Sequence, residues 1–208
     1  EYKSSLTVFL AAVLMMAINE EIPLRLKKRP VVLSIPVNLR NYYNSQTARN
    51  FFGVINVGYD FSTGSNELQD VIDSLRNSFK ENLKPEHLEN RINMLSSLEH
   101  NYVLRAVPLF IKDVALRIAN NIADRSYTST LSNVGVITMP DDIKPFISSF
   151  DVFVSTNKLQ ACVCSYENKL RISFTSAFVN TEVQRRFFKT LRDLGISVTI
   201  ESNEVHEE

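Results

Sequence analysis

The chain contains the stretch Pro36-Val37-Asn38-Leu39-Arg40, which is followed after a short gap by Ala48-Arg49-Asn50-Phe51-Phe52-Gly53. The first motif ends an apolar run, residues 31–37, and the second opens another, residues 54–61. Both runs are rich in β-branched and aromatic side chains and continuous enough to predict buried strands. The stretch therefore predicts two strands joined by a tyrosine-rich turn, residues 41–46.

Arg40 places a fixed positive charge at the end of the first predicted strand. An unpaired buried cation is costly, and no carboxylate lies near it in sequence. We therefore expect its partner to come from far along the chain or from a part of the protein outside these residues. The alternative is an ordinary exposed arginine at a strand end.

Helical patterns flank this strand pair on both sides. Apolar residues 6–18 follow Ser4 or Ser5, either of which can cap a helix that ends before Pro23. Three further helices, the second and third beginning at Pro85 and Pro108, are expected to lie as a layer on a sheet. Their expected inward-facing residues are Leu68, Val71, Ile72, Leu75 and Phe79, then Leu88, Ile92, Leu95 and Leu98, then Ile111, Ala115, Ile118, Ala119 and Ile122.

Strand patterns return in the last third of the chain. Residues 129–137, 152–155, 161–166 and 170–176 are predicted strands, and the last two form a hairpin through residues 167–169. A final helix, about 181–194, ends at Gly195, and residues 197–201 are expected to close the fold as a strand before a frayed acidic tail. The predicted fold class is α/β, a mixed β-sheet covered by helices.

Bulk composition narrows the functional classes. The 208 residues carry 23 basic and 23 acidic side chains and are 44% hydrophobic, which argues for a real core and against a nucleic-acid surface. The apolar run at residues 6–18 is shorter than the roughly 20 residues of a membrane span and lacks the features of a signal peptide. The sequence therefore predicts a cytoplasmic protein with no membrane or nucleic-acid partner.

The two cysteines, Cys162 and Cys164, are two apart in a predicted strand and so share a face of the sheet. Such neighbours seldom form a good disulfide, and without a nearby histidine they do not make a zinc site. They are expected to be core thiols in a reducing compartment, and no metal site is predicted.

The motifs at residues 36–40 and 48–53, followed by Ser132-Asn133-Val134-Gly135, resemble the carboxy-terminal half of the chloramphenicol-acetyltransferase-like superfamily. This superfamily includes alcohol acetyltransferases, plant-type acyltransferases and the condensation domains of peptide synthetases. The order and spacing of the motifs fit over residues 6–200. The resemblance implies that residues 1–208 form a single domain, the carboxy-terminal lobe of a two-lobed acyltransferase-like enzyme.

Catalysis in this superfamily depends on a His-His-x-x-x-Asp-Gly motif in the amino-terminal half. The histidines of this chain are His87, His100 and His206, and none is followed by a second histidine or has an aspartate four residues later. The first two are expected to be surface residues of helix ends rather than general bases. The resemblance therefore implies that the chain has no catalytic residue, lacks the lobe with the histidine motif and is inactive alone.

The resemblance also assigns candidate site residues. Arg40 matches the arginine that holds the motif aspartate, which would make it structural at the active site. The candidates for the substrate channel are Asn38, Asn50, Gly53, Ser132 and Asn133. The alternatives are that Asn50 only caps a turn and that Ser132 and Asn133 lie in an ordinary half-exposed strand. Arg49 also stands where many members of the superfamily have glycine.

The function implied by the resemblance is transfer of an acyl group from a coenzyme A thioester to an alcohol or amine, with the thioester as co-substrate and no permanently bound cofactor. A condensation-domain lobe using acyl carrier protein thioesters, or a non-catalytic binding or scaffold domain, are the alternatives. The basic run Arg25-Leu26-Lys27-Lys28-Arg29 is expected to be a solvated loop, or else a contact for the phosphates of coenzyme A. The expected partners are the missing amino-terminal lobe and either acyl-CoA or acyl carrier protein.

Overall fold

The computed structural model describes residues 2–23, 25, 27–102 and 106–203, without the side chains of Leu95, Leu98 and Glu99. The helices are α1 (Leu6–Glu21), α2 (Leu68–Asn82), α3 (Pro85–His100), α4 (Leu109–Arg125) and α5 (Glu182–Asp193), and the strands are β1 (Val31–Asn38), β2 (Phe52–Tyr59), β3 (Ser129–Ile137), β4 (Leu159–Tyr166) and β5 (Lys169–Ser176). His206 and most of the acidic tail lie outside the described residues.

The strands form one mixed sheet in the order β2-β1-β3-β4-β5. Strands β1, β3 and β4 are parallel neighbours, while β2 and β5 pair antiparallel at the two edges. The predicted hairpin of β4 and β5 is present, with Tyr166 opposite Lys169. The α/β fold class, a mixed sheet with helices, is confirmed.

One face of the sheet carries the core. Helix α1 is apolar around almost its whole circumference and is buried, as expected for a helix that is covered on all sides. It packs on β1 and between α2 and α5. The predicted N-cap is confirmed at Ser5, whose hydroxyl accepts a hydrogen bond of 3.3 Å from the Val8 amide.

Helix α5 is fixed to this core by aromatic and ionic contacts. The fully buried Phe187 ring packs edge-on against Phe174 at a centroid distance of 5.2 Å. The Arg186 guanidinium pairs with both Glu20 and Glu21 at the end of α1. Helix α5 therefore closes the core layer that α1 and α2 begin.

The opposite face is partly covered by the segment between β3 and β4. Cys162 and Cys164 are buried there as free thiols, and the Cys164 thiol donates a 3.3 Å hydrogen bond to the Phe150 carbonyl. The Phe150 ring packs against Tyr166 at 5.1 Å. The predicted strand at residues 152–155 is wrong, because these residues pair with no described strand of the sheet.

Other sequence predictions also fail. Strand β2 begins at Phe52 and is an edge strand that buries only Ile55 and Val57 fully, whereas a buried strand at residues 54–61 was expected. Residues 197–201 form no strand, although Val198 packs against the core.

The expected layer of three consecutive helices is also wrong. Helix α2 packs its predicted face into the core. Among the described side chains of α3, Leu88 is the buried one. Helix α4 buries no residue, and the inward positions predicted at Ile111, Ile118 and Ile122 are about half or more exposed. Leu95 and Leu98 lie outside the described side chains. Helical periodicity identified each helix correctly but did not determine what its apolar face contacts.

Candidate functional site at the carboxyl edge of the sheet

The six predicted site residues come from three separate segments: Asn38 and Arg40 end β1 and its turn, Asn50 and Gly53 lie around the start of β2, and Ser132 and Asn133 lie in the middle of β3. Ser34 of β1 is paired with Thr130 of β3, and both strands run in the same direction. At about 3.3 Å per residue, Ser132, Asn133 and Asn38 lie roughly 7, 10 and 13 Å further along that direction. Open α/β sheets bind ligands beyond the carboxyl ends of their parallel strands, and we call this end of the sheet the carboxyl edge. The register therefore places all six residues toward the carboxyl end of β1, and the described contacts join Asn38 to Arg40 and pair Gly53 with Val37.

The turn after β1 is organised by Asn38. Its side-chain oxygen accepts a 3.0 Å hydrogen bond from the Arg40 amide, so that Asn38 caps the short 3₁₀ turn Leu39–Asn41. Leu39 is buried and anchors the turn to the sheet. This local arrangement directs the Arg40 side chain away from the core.

The Arg40 side chain is exposed, and its partners are backbone carbonyls of the following loop. The Nη2 atom donates to the carbonyl oxygens of Thr47 at 2.9 Å and Arg49 at 2.7 Å. Among the described residues, Arg40 therefore bonds to two loop carbonyls at an exposed strand end and not to a carboxylate from far along the chain. A carboxylate from outside these residues stays a prediction. Arg40 holds the loop against the edge of the sheet.

Asn50 and Gly53 lie where this loop enters β2. Asn50 is exposed, and Gly53 pairs with Val37 across the two strands. A Cβ atom at Gly53 would lie 3.4 Å from the Leu39 side chain, an ordinary van der Waals distance. The position of Gly53 thus leaves space for a small side chain.

Ser132 and Asn133 are both half-buried but point to opposite faces of β3, since successive strand residues alternate. The Asn133 Nδ2 atom donates a 2.9 Å hydrogen bond to the Thr7 hydroxyl on the first turn of α1. Its Oδ1 atom accepts a 2.9 Å hydrogen bond from the Gly135 amide. The Asn133 amide is therefore bonded at both ends within the protein and fixes the shape of this edge.

A bulge follows Asn133 and displaces the end of β3. Asn133 pairs with Val163 and Gly135 with the next residue, Cys164, so Val134 is the extra residue. Gly135 has φ of +86°, a left-handed conformation that favours glycine. Val134 is more than half exposed as a result.

Sequence reasoning missed two contributors to this edge. Thr7 carried no signal, because its partner Asn133 lies 126 residues away. Tyr43 lies in the turn after β1, where its ring meets Phe51 edge-on at 6.4 Å and its hydroxyl lies 3.5 Å from the Pro85 carbonyl. Loss of surrounding water and the negative charge of Glu89 raise the pKa of the Tyr43 hydroxyl.

The Tyr43 contact brings the start of α3 to the same edge. There the His87 Nε2 atom lies 3.1 Å from Glu81, which also pairs with Lys84 at 2.6 Å. Lys84 first, and then His87, holds the pKa of the Glu81 carboxyl below its usual value. His100 is exposed at the last turn of α3, where Nδ1 lies 2.9 Å from the Ser96 carbonyl. Both histidines are surface residues of helix ends, as expected.

The basic run lies at the other end of β1. Arg25, Lys28 and Arg29 are exposed and Lys27 is half-buried, while Leu26 lies outside the described residues. The seven steps from Val31 to Asn38 separate this run from the turn at Arg40 by about 23 Å. The run is a solvent-facing segment at the opposite edge from the six predicted site residues.

The described ranges contain no group of three or more histidine, cysteine or acidic side chains that could hold a metal ion. Across those ranges, each helix is too short or too polar to cross a membrane. Chemically, the carboxyl edge offers amide, hydroxyl and guanidinium groups that can bind and orient an oxygen-bearing ligand.

Comparison with known proteins supports the fold. No family model and no curated protein matches the sequence. Among solved structures, the chain is similar to the TRI3 trichothecene 15-O-acetyltransferase from Fusarium sporotrichioides, with a TM-score of 0.50 and 13% sequence identity. The match covers 92% of this chain and 40% of that chain. The chain therefore shares its fold with part of that acetyltransferase.

Proposed function

We propose that this chain is the carboxy-terminal lobe of an acyltransferase that moves an acyl group from a coenzyme A thioester to an alcohol or amine. The observation that carries the proposal is the fold shared with part of a trichothecene O-acetyltransferase. The chain spans 40% of the length of that acetyltransferase. We assign the histidine motif to an amino-terminal lobe that would precede this chain in the complete enzyme. The chain would then be inactive alone.

In the proposed reaction, the histidine of the amino-terminal lobe removes a proton from the acceptor hydroxyl or amine. The acceptor atom attacks the thioester carbonyl, the carbon–sulfur bond breaks, and the thiolate leaves and takes up the proton. The present chain contributes the substrate channel between the lobes through Asn38, Asn50, Gly53, Ser132 and Asn133.

Arg40 would pair with the aspartate of the histidine motif and hold the catalytic loop. The local geometry supports this role, because both of its hydrogen bonds to the loop use Nη2. A guanidinium group has five N–H donors, so those on Nε and Nη1 remain available for a carboxylate. The existing contacts would orient the group toward the second lobe.

The exposed apolar surface also supports a missing partner. Helix α4 has large apolar side chains on its surface and buries none of its residues. The exposed members are Leu109, Phe110, Ile111, Val114, Leu116, Ile118 and Ile122. A second lobe would remove part of this surface from water, with a gain of roughly 25 cal/mol per Å² of apolar area.

The experiment compares the 208-residue chain alone with a two-lobed protein in which an amino-terminal lobe carrying the histidine motif precedes it. Thiol release from acetyl-CoA is measured with short alcohols and amines. We expect background rates from the chain alone and turnover from the two-lobed protein. Turnover by the chain alone, or none by the two-lobed protein with any thioester, would contradict the proposal. Turnover restricted to acyl carrier protein thioesters would instead identify a condensation-domain lobe.

Arg40→Ala separates a role between lobes from a role within this lobe. In the two-lobed protein the substitution leaves a carboxylate unpaired, and we expect a loss of about 3–5 kcal/mol if the pair is well buried. Arg40→Lys should rescue poorly, because lysine cannot make a planar bidentate contact. The chain alone should lose little stability, since Arg40 is exposed there. Equal losses in thermal unfolding of both proteins would show that Arg40 serves only its own loop.

A further inference from the structure

The side chain of Thr7 joins two elements at the carboxyl edge of the sheet. Thr7 lies in the first turn of α1 and is half-buried, and its hydroxyl oxygen accepts the 2.9 Å hydrogen bond from Asn133 Nδ2. The contact connects the amino-terminal end of α1 to the point where β3 becomes irregular.

The orientation of the Asn133 amide determines which atom faces the bulge. With Nδ2 directed at Thr7, Oδ1 is directed at the Gly135 amide and accepts its hydrogen bond. If the amide rotated by half a turn, its NH₂ group would face the Gly135 N–H, and two donors would oppose each other. The Gly135 N–H, which can only donate, therefore fixes the orientation of the amide, and the hydrogen bond to the Thr7 hydroxyl holds the amide in that orientation.

The bulge in turn determines which groups the edge presents. Gly135 adopts its left-handed conformation while its amide is bonded to Asn133, and Val134 is thereby turned toward solvent. Loss of the bond would allow the end of β3 to sample other conformations, which would move Val134 relative to Ser132 and to the turn at Arg40.

We propose that Thr7 is a positioning residue for this edge, acting through the Asn133 amide on the bulge at Val134 and Gly135. The inference rests on the proposed function in that it takes the carboxyl edge as the side of the lobe that faces substrate. It assigns to the first turn of α1 a role that the six predicted site residues do not include.

The test is amide hydrogen exchange of the 208-residue chain with Thr7→Val, which removes the hydroxyl but retains the branched shape. We expect exchange at Gly135 to accelerate on the order of fivefold to tenfold, the effect of losing one hydrogen bond. Thr7→Ser retains the hydroxyl and should exchange like the wild type. Thr175→Val on β5 is the matched control and should leave Gly135 unchanged.

A double substitution distinguishes positioning from general destabilisation. In Asn133→Leu neither the hydrogen bond to Thr7 nor that from Gly135 can form, so Thr7 has no route to the bulge through this side chain. Thr7→Val should then have no further effect on Gly135 exchange. An unchanged Gly135 rate in the single variant, an equal acceleration along all of β3 and β4, or an undiminished effect of Thr7→Val beside Asn133→Leu would each overturn the inference.

The activity measurement is a separate arm. In the two-lobed protein, Thr7→Val should raise KM or lower kcat for acyl transfer, and Thr7→Ser should restore the wild-type values. If no acyl transfer is found in any variant, the proposed function fails while the exchange result still decides whether Thr7 positions the bulge. If transfer is found and Thr7→Val leaves both constants unchanged, the bulge is not part of the active site and the inference is overturned.

Discussion

Individual glycines show how closely a residue's role depends on its surroundings. Gly64 lies in the loop after β2, where a Cβ atom would come within 2.6 Å of the Tyr59 hydroxyl oxygen and 2.9 Å of the Asp60 carbonyl oxygen. The Tyr59 hydroxyl is held there by a 2.9 Å hydrogen bond to the Ser65 carbonyl. The sequence marked Gly53 as the functional glycine, yet the steric demand for glycine is greater at Gly64.

We therefore expect Gly64→Ala to destabilise the chain by about 1–3 kcal/mol, the usual cost of forcing an atom into a packed site. Gly53→Ala is the matched control and should change stability by less than about 1 kcal/mol, because its Cβ meets Leu39 at an ordinary distance. Urea denaturation of the two variants measures both values. Equal losses would show that the loop around Gly64 adapts to the added methyl group.

At the scale of secondary-structure elements, the sequence predicts the apolar face of a helix but not the polar contacts at its end. Helix α2 buries Val71, Ile72, Leu75 and Phe79 as its periodicity indicates. The joint between α2 and α3 depends instead on polar groups, with Glu81 between Lys84 and His87. Charge at this joint should make the arrangement of the two helices sensitive to pH.

The pKa of Glu81 is lowered in the folded chain, chiefly by its hydrogen bond to Lys84. A lowered carboxyl pKa contributes stability above the unfolded value of 4.5, and this contribution is lost as pH falls through the folded pKa. Wild type should therefore exceed Glu81→Gln in unfolding midpoint at pH 6, and the difference should shrink as the pH falls below 4.5. Added salt should also reduce it, since the pair is exposed. A difference independent of pH would mean that shape rather than charge matters at this joint.

On the scale of the whole molecule, hydrophobic surface is unevenly distributed. The core lies between the sheet and helices α1, α2 and α5, while α4 presents its apolar side chains to solvent. The end of α4 is nevertheless fixed. The Lys158 ammonium group donates to the carbonyls of Asp124 and Tyr127 and lies 3.6 Å from the centroid of the Tyr127 ring. An anchored helix with an exposed apolar face is a surface suited to a partner.

We expect the isolated chain to bind a hydrophobic dye and to self-associate as its concentration rises. The reason is that the area of the apolar surface that includes α4 should exceed the ~300–600 Å² of the largest apolar patch on a typical monomer. Combined Phe110→Glu and Ile118→Glu should reduce both effects without unfolding the chain, since both residues are exposed. Phe146→Glu, outside α4, is the control. Light scattering and dye fluorescence across a concentration series provide the measurement. A monomeric wild type that binds no dye would contradict the prediction.

The sequence by itself determined the features that depend on local patterns. Apolar continuity predicted β1 and the buried helix α1, the short connection at residues 167–169 predicted the hairpin of β4 and β5, and the strand and helix patterns predicted the α/β fold class. The strand register places Arg40 and Asn133 toward the same end of β1, and their membership of one site stays a prediction.

Only the tertiary structure decided which side chains and backbone groups contact one another. Periodicity indicates that a helix or strand has an apolar face, but it does not indicate whether another element covers that face. For this reason the sequence predicts a buried α4 and a buried β2, although the structure exposes much of both. A charge at a strand end does not reveal its acceptors, and Arg40 uses loop carbonyls instead of a carboxylate. The contact between Thr7 and Asn133 joins residues 126 positions apart, and its existence depends on how α1 lies on the folded sheet.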